Sequence, residues 1–323
     1  SAADGKLGFS YTKIDMNGNA LPATASSWAC VKDNVTGLIW ENKTDDGGLH
    51  DKDNAYTNYD NPNASQKGAF LEPTQEEIDA ATNSIGFVNA VNAEGLCGAK
   101  DWTRPTIDNL LTLVDYGKIN PSIDTNYFSN MKAPFYFLSA SSTDRSPSYT
   151  WTSIASYMKE ALRSTAYPAR LVRTHNNIVV DNNRFEVYAD GSEILDKQTN
   201  LIWSRCPVGT FWENKTCKTS QAVNYSFTHD AALKAVKVLA ESSGKAWRLP
   251  NIRELQSIEN FTTIPVLDSN IFPHNSACFW SSTPVLDNVI TNGSSVWGIC
   301  MTDVYVSGYM RSTLFRAMVV RSR

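Results

Sequence analysis

The chain carries Trp-Thr-Arg-Pro-Thr-Ile at residues 102–107 and the related Trp-Arg-Leu-Pro-Asn-Ile at residues 247–252. Three further blocks recur in the same order. They are Thr-Gly-Leu-Ile-Trp at 36–40 and Thr-Asn-Leu-Ile-Trp at 199–203, Asn-Pro-Ser-Ile-Asp-Thr-Asn-Tyr-Phe at 120–128 and Ile-Pro-Val-Leu-Asp-Ser-Asn-Ile-Phe at 264–272, and Arg-Leu-Val-Arg at 170–173 and Met-Val-Val-Arg at 318–321. Recurrence over so long a stretch predicts two copies of a whole domain, and not a solenoid of short repeats.

Length and composition indicate a globular protein with two domains. The 323 residues fit two domains of about 150 residues each, which agrees with the two copies. A hydrophobic fraction of 42% with 19% charged residues is enough to build buried cores. The net charge of -4 gives no reason to expect nucleic acid as a partner. We also expect no transmembrane segment, because no run approaches the roughly 18 apolar residues that span a bilayer.

The copies divide the chain into four parts. Residues 1–27 are predicted to form a strand or hairpin, and residues 28–173 form the first domain. Residues 174–191 are predicted to be a structured junction, and residues 192–323 form the second domain. In each copy we predict a strand ending in Leu-Ile-Trp, two helices and several short antiparallel strands broken by Ser, Gly, Asn and Pro. This plan is an α+β fold.

Periodicity and capping residues locate the helices. Residues 230–240 place apolar side chains on one face of a helix, and residues 74–91 begin with a Pro-Thr-x-x-Glu capping signal. Shorter helices are predicted at residues 106–115 and 251–259, where a proline precedes the capping Thr or Asn.

The six cysteines indicate disulfides, because their number is even and none has metal-ligand spacing. One pair brackets a short loop with Gly and Pro, a second lies on two predicted strands, and the third contains the two that remain. The predicted pairs are Cys30–Cys97, Cys206–Cys217 and Cys278–Cys300. Other pairings and reduced, buried cysteines are the alternatives. Disulfides form in oxidising compartments, so we predict an exported protein, periplasmic or extracellular.

The ordered blocks resemble one known family. Both copies carry a strand ending in Leu-Ile-Trp, a Trp-x-x-Pro block before a helix, a Pro-x-x-Asp-x-x-x-Phe turn and a final Val-Arg. This pattern is similar to the DUF1566 family, also called the Lcl C-terminal domain. The resemblance covers nearly all of both copies. It implies a C-type-lectin-like fold, related to the formylglycine-generating enzymes, in exported bacterial proteins linked to adhesion and glycan binding.

Tryptophans at matching positions are predicted to be core residues, with a sugar-stacking surface as the alternative. They are Trp40 and Trp203, Trp102 and Trp247, and Trp151 and Trp297. Trp212 has no counterpart in the first copy and lies between Cys206 and Cys217. We therefore predict that Trp212 is exposed and contacts a ligand.

The C-terminal segment, residues 304–316, is rich in Tyr, Ser, Gly and Arg. Binding loops use this composition, because rigid aromatic rings supply contact area and small polar residues adapt their hydrogen bonds. We predict Tyr305, Tyr309 and Arg311 as ligand contacts. The alternative is that the segment forms ordinary strands and turns.

An inserted loop makes the first copy longer between Trp40 and Trp102. Its carboxylates are Asp45, Asp46, Asp51 and Asp53. Calcium prefers several carboxylate and carbonyl oxygens at once, so the loop is a candidate calcium site. The spacing is not that of an EF-hand, and a solvated acidic loop is the alternative.

No catalytic pattern is present in the sequence, because the four histidines are scattered and form no hydrolase or metalloprotease motif. The main hypothesis is an exported, non-enzymatic binding protein, adhesin-like, that recognises a glycan or a cell-surface protein. One alternative is a cell-envelope or appendage assembly subunit that makes protein contacts. Another is a degenerate enzyme of the formylglycine-generating type, which two neighbouring free thiols would favour.

Overall fold

The computed structural model divides the chain into two compact units, Phe9–Ile178 and Val179–Arg323, the second together with Ser1–Gly8. Both units combine a few helices with small antiparallel sheets, which confirms the α+β class and the two domains in tandem. The narrower expectation of a C-type-lectin-like fold stays a prediction. The structure describes residues 8–68, 70–118, 121–131, 136–142, 146–154, 157–174, 184–188, 190–219, 225–259, 267–273, 277–286, 293–302 and 305–323.

Within its described residues the first domain contains strands β1–β8 and helices α1–α3. The strands are β1 (Tyr11–Ile14), β2 (Ala20–Leu21), β3 (Cys30–Asp33), β4 (Leu38–Glu41), β5 (Tyr136–Ser142), β6 (Tyr149–Ile154), β7 (Tyr157–Leu162) and β8 (Val172–Thr174). The helices are α1 (Gln75–Asp79), α2 (Ser84–Glu94) and α3 (Ile107–Leu111). One antiparallel sheet has the order β2-β1-β3-β4-β8, and the other has the order β5-β6-β7.

The second domain contains strands β9–β17 and helices α4 and α5 in the part that the structure describes. The strands are β9 (Phe185–Tyr188), β10 (Glu193–Asp196), β11 (Leu201–Ser204), β12 (Thr210–Glu213), β13 (Thr216–Thr219), β14 (Cys278–Pro284), β15 (Ser295–Cys300), β16 (Tyr305–Met310) and β17 (Val320–Ser322). The helices are α4 (His229–Ser243) and α5 (Ile252–Ser257). The antiparallel sheets have the orders β17-β11-β10-β9, β12-β13 and β14-β15-β16.

The two domains share one strand plan. The order β1-β3-β4-β8 corresponds to β9-β10-β11-β17, and β5-β6-β7 corresponds to β14-β15-β16. In the turn before the Leu-Ile-Trp strand of the first domain, the Thr36 hydroxyl donates to Asp33 at 2.7 Å. In the second domain the Thr199 hydroxyl donates to Asp196 at 2.8 Å. The next residue, Gly37 or Asn200, has a positive φ, which these two residue types tolerate. The same local chemistry therefore starts the central strand of each copy.

The predicted N-terminal extension and the predicted junction each supply the first strand of a sheet. Residues 1–27 contain β1 and β2, and β1 pairs with β3 of the first domain. Residues 174–191 contain β9, which pairs with β10 of the second domain. Residues 175–183 of the junction lie outside the described residues.

The helix predicted over residues 74–91 is two helices, α1 and α2, so the first domain has three α-helices where two were predicted. The predicted cap is present, because Thr74 and Glu77 form a capping box. The chain leaves the helix before Asn83, whose buried side chain accepts from the N–H of Tyr59 and donates to its carbonyl oxygen. Asn83 therefore anchors the inserted loop. It lies at the point where a continuous helix would instead have formed backbone hydrogen bonds within the helix.

All six cysteines form the three predicted disulfides, which are Cys30–Cys97, Cys206–Cys217 and Cys278–Cys300. The first joins β3 to the turn after α2. The second closes the hairpin of β12 and β13, and the third joins β14 to β15.

In each domain the central sheet is linked to the segment that follows a helix, α2 or α4, but the two domains use different kinds of bond. Cys30 of β3 is bonded to Cys97 in the first domain. At the matching position of β10 stands Glu193, whose carboxylate accepts from Lys245, after α4, and from Arg321 at 2.7 Å. A covalent bond in one copy thus corresponds to an ion pair in the other.

Most of the paired tryptophans are core residues, as predicted. Trp40, Trp203 and Trp102 are completely or almost completely buried, and Trp247 is buried. Trp297 is only partly buried, so it is not a full core residue. The side chain of Trp151 lies outside the described residues.

Candidate functional site

The predicted contact residues of the C-terminal segment lie on β16 and in the turn after it. The Tyr309 ring packs edge-on against Phe315 with centroids 4.6 Å apart, and its hydroxyl lies 3.6 Å from Cys300 Sγ. Tyr309 is therefore half-buried, and only part of it faces solvent. Tyr305 begins the strand opposite Cys300, and its side chain lies outside the described residues. Arg311 is half-exposed.

Arg311 is held against the start of α4. Its Nη1 lies 3.1 Å from Nδ1 of His229 and 3.3 Å from Oδ1 of Asp230. The backbone N–H of His229 also donates to the carbonyl oxygen of Arg311 at 2.9 Å. The guanidinium group is thus positioned by the protein while it remains accessible to a ligand.

Further exposed side chains lie on the two segments that carry Arg311 and its partner His229, residues 310–316 and 225–230. Met310 and Leu314 are 62% and 60% exposed. The Arg316 guanidinium lies 5.1 Å from the centroid of the exposed Tyr225 ring, at cation–π distance. We call this surface the outer face; its residues are Tyr225, Met310, Arg311, Leu314 and Arg316.

Backbone hydrogen bonds assemble the outer face from two segments. Phe227 and Phe315 exchange N–H···O bonds of 2.8 and 3.0 Å, which hold residues 225–230 beside residues 311–316. The Phe315 side chain points into the core, so its neighbours Leu314 and Arg316 point outward. This alternation around Phe315 is the sequence signal that could have identified them.

Trp212 is half-buried and not freely exposed as predicted. The Arg205 guanidinium lies 4.1 Å from the centroid of its ring. The backbone at Gly191 also lies close to the ring, because an added Cβ would stand 3.1 Å from the indole Nε1. Among the described residues no hydrogen bond or ring contact joins Trp212 to the outer face, so the structure does not bring the four predicted contacts into one cluster.

The acidic loop of the first domain is organised around Asp51. This carboxylate is buried and accepts backbone N–H bonds from Asp46, Gly47 and Asp53 at 2.7, 2.6 and 2.8 Å. These bonds, led by those from Gly47 and Asp53, lower the pKa of Asp51. Carboxylate oxygens of Asp45, Asp51 and Asp53 lie within 4.8 Å of one another, which is close enough for one cation.

A lysine ammonium group lies beside these carboxylates. Lys52 Nζ is 2.9 Å from Asp45 and 2.7 Å from Asp53, and these two acids raise the pKa of Lys52. Asp46 instead accepts from the Thr44 hydroxyl at 2.9 Å and from the Gly48 N–H at 2.8 Å, so its carboxylate is engaged within its own turn and is not one of the three. Calcium binding stays a prediction, and the ion would have to compete with Lys52.

We expect the Lys52→Met variant to gain a calcium response. Without the ammonium group, the three carboxylates repel one another and a divalent cation relieves that repulsion. At calcium about tenfold above its Kd, binding adds about 1.4 kcal/mol, which corresponds to a rise in Tm of about 3–6 °C for a domain of this size. Differential scanning calorimetry measures it. Lys52→Arg, which keeps the positive charge, is the control, and an equal response of both variants would contradict the prediction.

A buried charged cluster that the sequence analysis missed lies beneath this loop. Glu41 Oε1 is 2.8 Å from Lys43 Nζ and 2.9 Å from His50 Nδ1, and His50 Nε2 is 2.7 Å from Glu94. Burial opposes the charge of Glu41, but Lys43 and His50 together lower the pKa of Glu41 to about 2. Burial also disfavours the imidazolium, yet the hydrogen bonds to both glutamates raise the pKa of His50. The cluster fastens the inserted loop to β4 and α2.

Arg170 extends the cluster into the core. It is completely buried, its Nη1 donates to the carbonyl oxygen of Glu41 at 2.6 Å, and its guanidinium lies 5.3 Å from the ring centroids of both Phe128 and Phe137. Burial lowers the pKa of Arg170 to about 10, and Glu41 offsets part of that effect. Met318 stands at this position in the second copy. The difference between the copies is thus the sequence signal for the cluster.

Duplicated strand plans and three disulfides define a disulfide-bonded α+β protein with two domains in tandem. A family model, that of the Lcl C-terminal domain, matches residues 29–173 and 192–321. The chain therefore belongs to the Lcl C-terminal domain family and contains two copies of the domain. Searches of the curated proteins and of the solved structures found no match. None of the described helices is long and apolar enough to cross a membrane.

Proposed function

We propose that the chain is an exported, non-catalytic binding protein of the adhesin kind, which recognises a glycan or a cell-surface protein. Export is supported by the three disulfides, because such bonds persist in oxidising compartments. Membership of the Lcl C-terminal domain family is compatible with a binding role.

The outer face of the second domain is the observation on which the proposal depends. It combines two arginines, an aromatic ring and two aliphatic side chains that are more than half exposed. Aromatic and arginine side chains contribute most of the energy in many interfaces, and aliphatic side chains on the surface gain from burial by a partner. Arg311 and Tyr225 are also held by neighbouring side chains, so these two side chains lose less conformational entropy when a ligand binds.

The exposed aliphatic residues also favour the second candidate function, an assembly subunit of the cell envelope. Met310 and Leu314 suit a protein partner better than a sugar, because sugars offer mostly hydroxyl groups. The third hypothesis, a degenerate enzyme of the formylglycine-generating type, depends on two neighbouring free thiols. All six cysteines are in disulfides, which counts against it.

A glycan array with the folded protein, with and without calcium, tests the proposal directly. We expect specific binding, and we expect Arg311→Ala to weaken it by about tenfold or more, as for an arginine near the centre of an interface. For a protein partner we expect Leu314→Ala to weaken binding as well, because it removes an exposed aliphatic contact. Val187→Ala is the matched control, because Val187 is an aliphatic residue of the same domain with 59% exposure and lies on β9. A blank array together with self-association that Leu314→Ala abolishes would favour the assembly role.

A further inference from the structure

His229 is a buried histidine whose two ring nitrogens face different kinds of partner. It is the first residue of α4, and only 3% of it is exposed. Nε2 lies 3.1 Å from the carbonyl oxygen of Ser281 in β14, and Nδ1 lies 3.1 Å from Nη1 of Arg311. The Trp280 ring packs edge-on against the imidazole with centroids 5.3 Å apart. The ring is therefore fixed in orientation by three neighbours.

These partners select one protonation state. A carbonyl oxygen only accepts, so Nε2 carries the hydrogen and donates it to Ser281. A guanidinium group only donates, so Nδ1 must offer its lone pair to Arg311. The neutral imidazole with its hydrogen on Nε2 satisfies both contacts. The imidazolium would place an N–H on Nδ1 against a second positive charge.

The charged groups that face the ring are Arg311, from the turn after β16, and Asp230, on α4 itself. Asp230 Oδ1 lies 3.9 Å from Nδ1, beyond hydrogen-bond distance, and 3.3 Å from Arg311. Burial is the largest cause of a lowered pKa for His229, and the Arg311 charge acts in the same direction. The bond to Ser281 and the charge of Asp230 oppose these effects without cancelling them.

We propose that His229 is a positioning residue for the binding surface: its neutral ring holds Arg311 in place, and its protonation releases Arg311. The proposal rests on the proposed function of the outer face, because it concerns how one residue of that face is presented. On protonation Nδ1 loses its lone pair, so Arg311 loses an acceptor and Asp230 becomes a partner for the imidazolium.

The direction of the pH dependence follows from the lowered pKa. The unfolded chain takes up the proton near the ordinary histidine value, and the folded chain takes it up only at lower pH. The contribution of His229 to stability is therefore complete above the ordinary value. It decreases as the pH falls from there to the pKa of the folded state. Release of Arg311 follows in that acidic range.

Two substitutions separate the contacts of His229. His229→Asn places an oxygen near the position of Nδ1, so it retains an acceptor for Arg311 and cannot titrate. His229→Gln places its amide near the position of Nε2, so it retains a donor for Ser281 and loses the acceptor. NMR follows the His229 ring and the Arg311 guanidinium signals during a pH titration of the complete chain.

In the unmodified chain we expect the Arg311 signal to move with the same midpoint as the His229 ring. In His229→Asn it should stay at its neutral-pH position throughout, and in His229→Gln it should show the released state at every pH. Arg311→Met should shift the His229 midpoint to higher pH. An Arg311 signal that ignores the His229 midpoint, or a neutral ring with its hydrogen on Nδ1, would overturn the proposal.

A ligand from the glycan array supplies a separate readout. Its affinity should be lost on acidification for the unmodified chain, and it should depend less on pH for His229→Asn. If no glycan binds, the glycan form of the proposed function fails while the NMR titration still decides the role of His229. If a glycan binds but its affinity follows the same pH profile in His229→Asn, the positioning role fails while the proposed function stands.

Discussion

Replacing Glu41 by glutamine is expected to lower the free energy of unfolding of the first domain by about 3–5 kcal/mol, the usual cost of breaking a buried ion pair by removing one partner. Glutamine has nearly the same shape, so packing around the site is kept. What is lost is the negative charge that Lys43 and His50 face at 2.8 and 2.9 Å. Lys43 is buried, so its ammonium group would be left without its closest counter-charge.

The same variant should change the pH profile of stability. The pKa of Glu41 is about 2 in the folded chain, against an ordinary value of 4.5. Glu41 therefore contributes stability above the ordinary value, and this contribution is lost as the pH falls from about 4.5 towards 2. Urea unfolding at pH 7 and at pH 3 measures both effects. Hydrogen exchange in peptides of the first domain is the signal that reports the unfolding.

Glu76→Gln is the matched control, because Glu76 is an exposed glutamate of α1 in the same domain. It should change the free energy of unfolding by less than about 0.5 kcal/mol. If both variants had the same stability at pH 7, the cluster around Glu41 would not contribute to the fold. A smaller difference between them at pH 3 than at pH 7 would support the assigned pKa.

Removal of the disulfide between Cys30 and Cys97 is the second large effect. Its partners are 67 residues apart, and the chain-entropy relation for a loop of that length gives about 4 kcal/mol. Alanine at both positions avoids a buried hydroxyl group. We expect the double variant to unfold at lower urea concentration in the first domain. The cause lies in the unfolded state, which becomes less restricted.

The disulfide between Cys206 and Cys217 provides the comparison. Its partners are 11 residues apart, so the same relation gives about 3 kcal/mol, and the effect should be confined to the second domain. Domain-resolved hydrogen exchange distinguishes the two. The prediction is wrong if removing the longer-range disulfide leaves the unfolding of the first domain unchanged.

The fold could be predicted where local signals agree. The predicted helix at residues 230–240 lies within α4, because its apolar face is visible in sequence; the structure adds Thr228 as its N-cap. The break between α1 and α2 could not be predicted in this way. It depends on hydrogen bonds between Asn83 and Tyr59, 24 residues apart, and no periodicity records such a contact.

The candidate site was harder to predict than the fold. Arg311, which was selected from composition, belongs to the outer face, whereas Tyr309 packs against Phe315; composition does not say which side of a strand a residue occupies. Leu314 was missed because an exposed leucine has no signature apart from its position next to a buried phenylalanine. Trp212 was predicted to be exposed and is half-buried, because the Arg205 guanidinium lies over its ring, and no sequence motif signals that contact.

The disulfide of the first domain and the ion pairs of the second, which link the sheet to the segment after a helix, are broken by different conditions. A reductant that opens the bond between Cys30 and Cys97 leaves the carboxylate of Glu193 and its lysine and arginine partners untouched. Concentrated salt or strong acid weakens those charges and leaves the sulfur bridge intact. A change of surroundings can therefore loosen this particular contact between sheet and helix in one domain while the other domain keeps it.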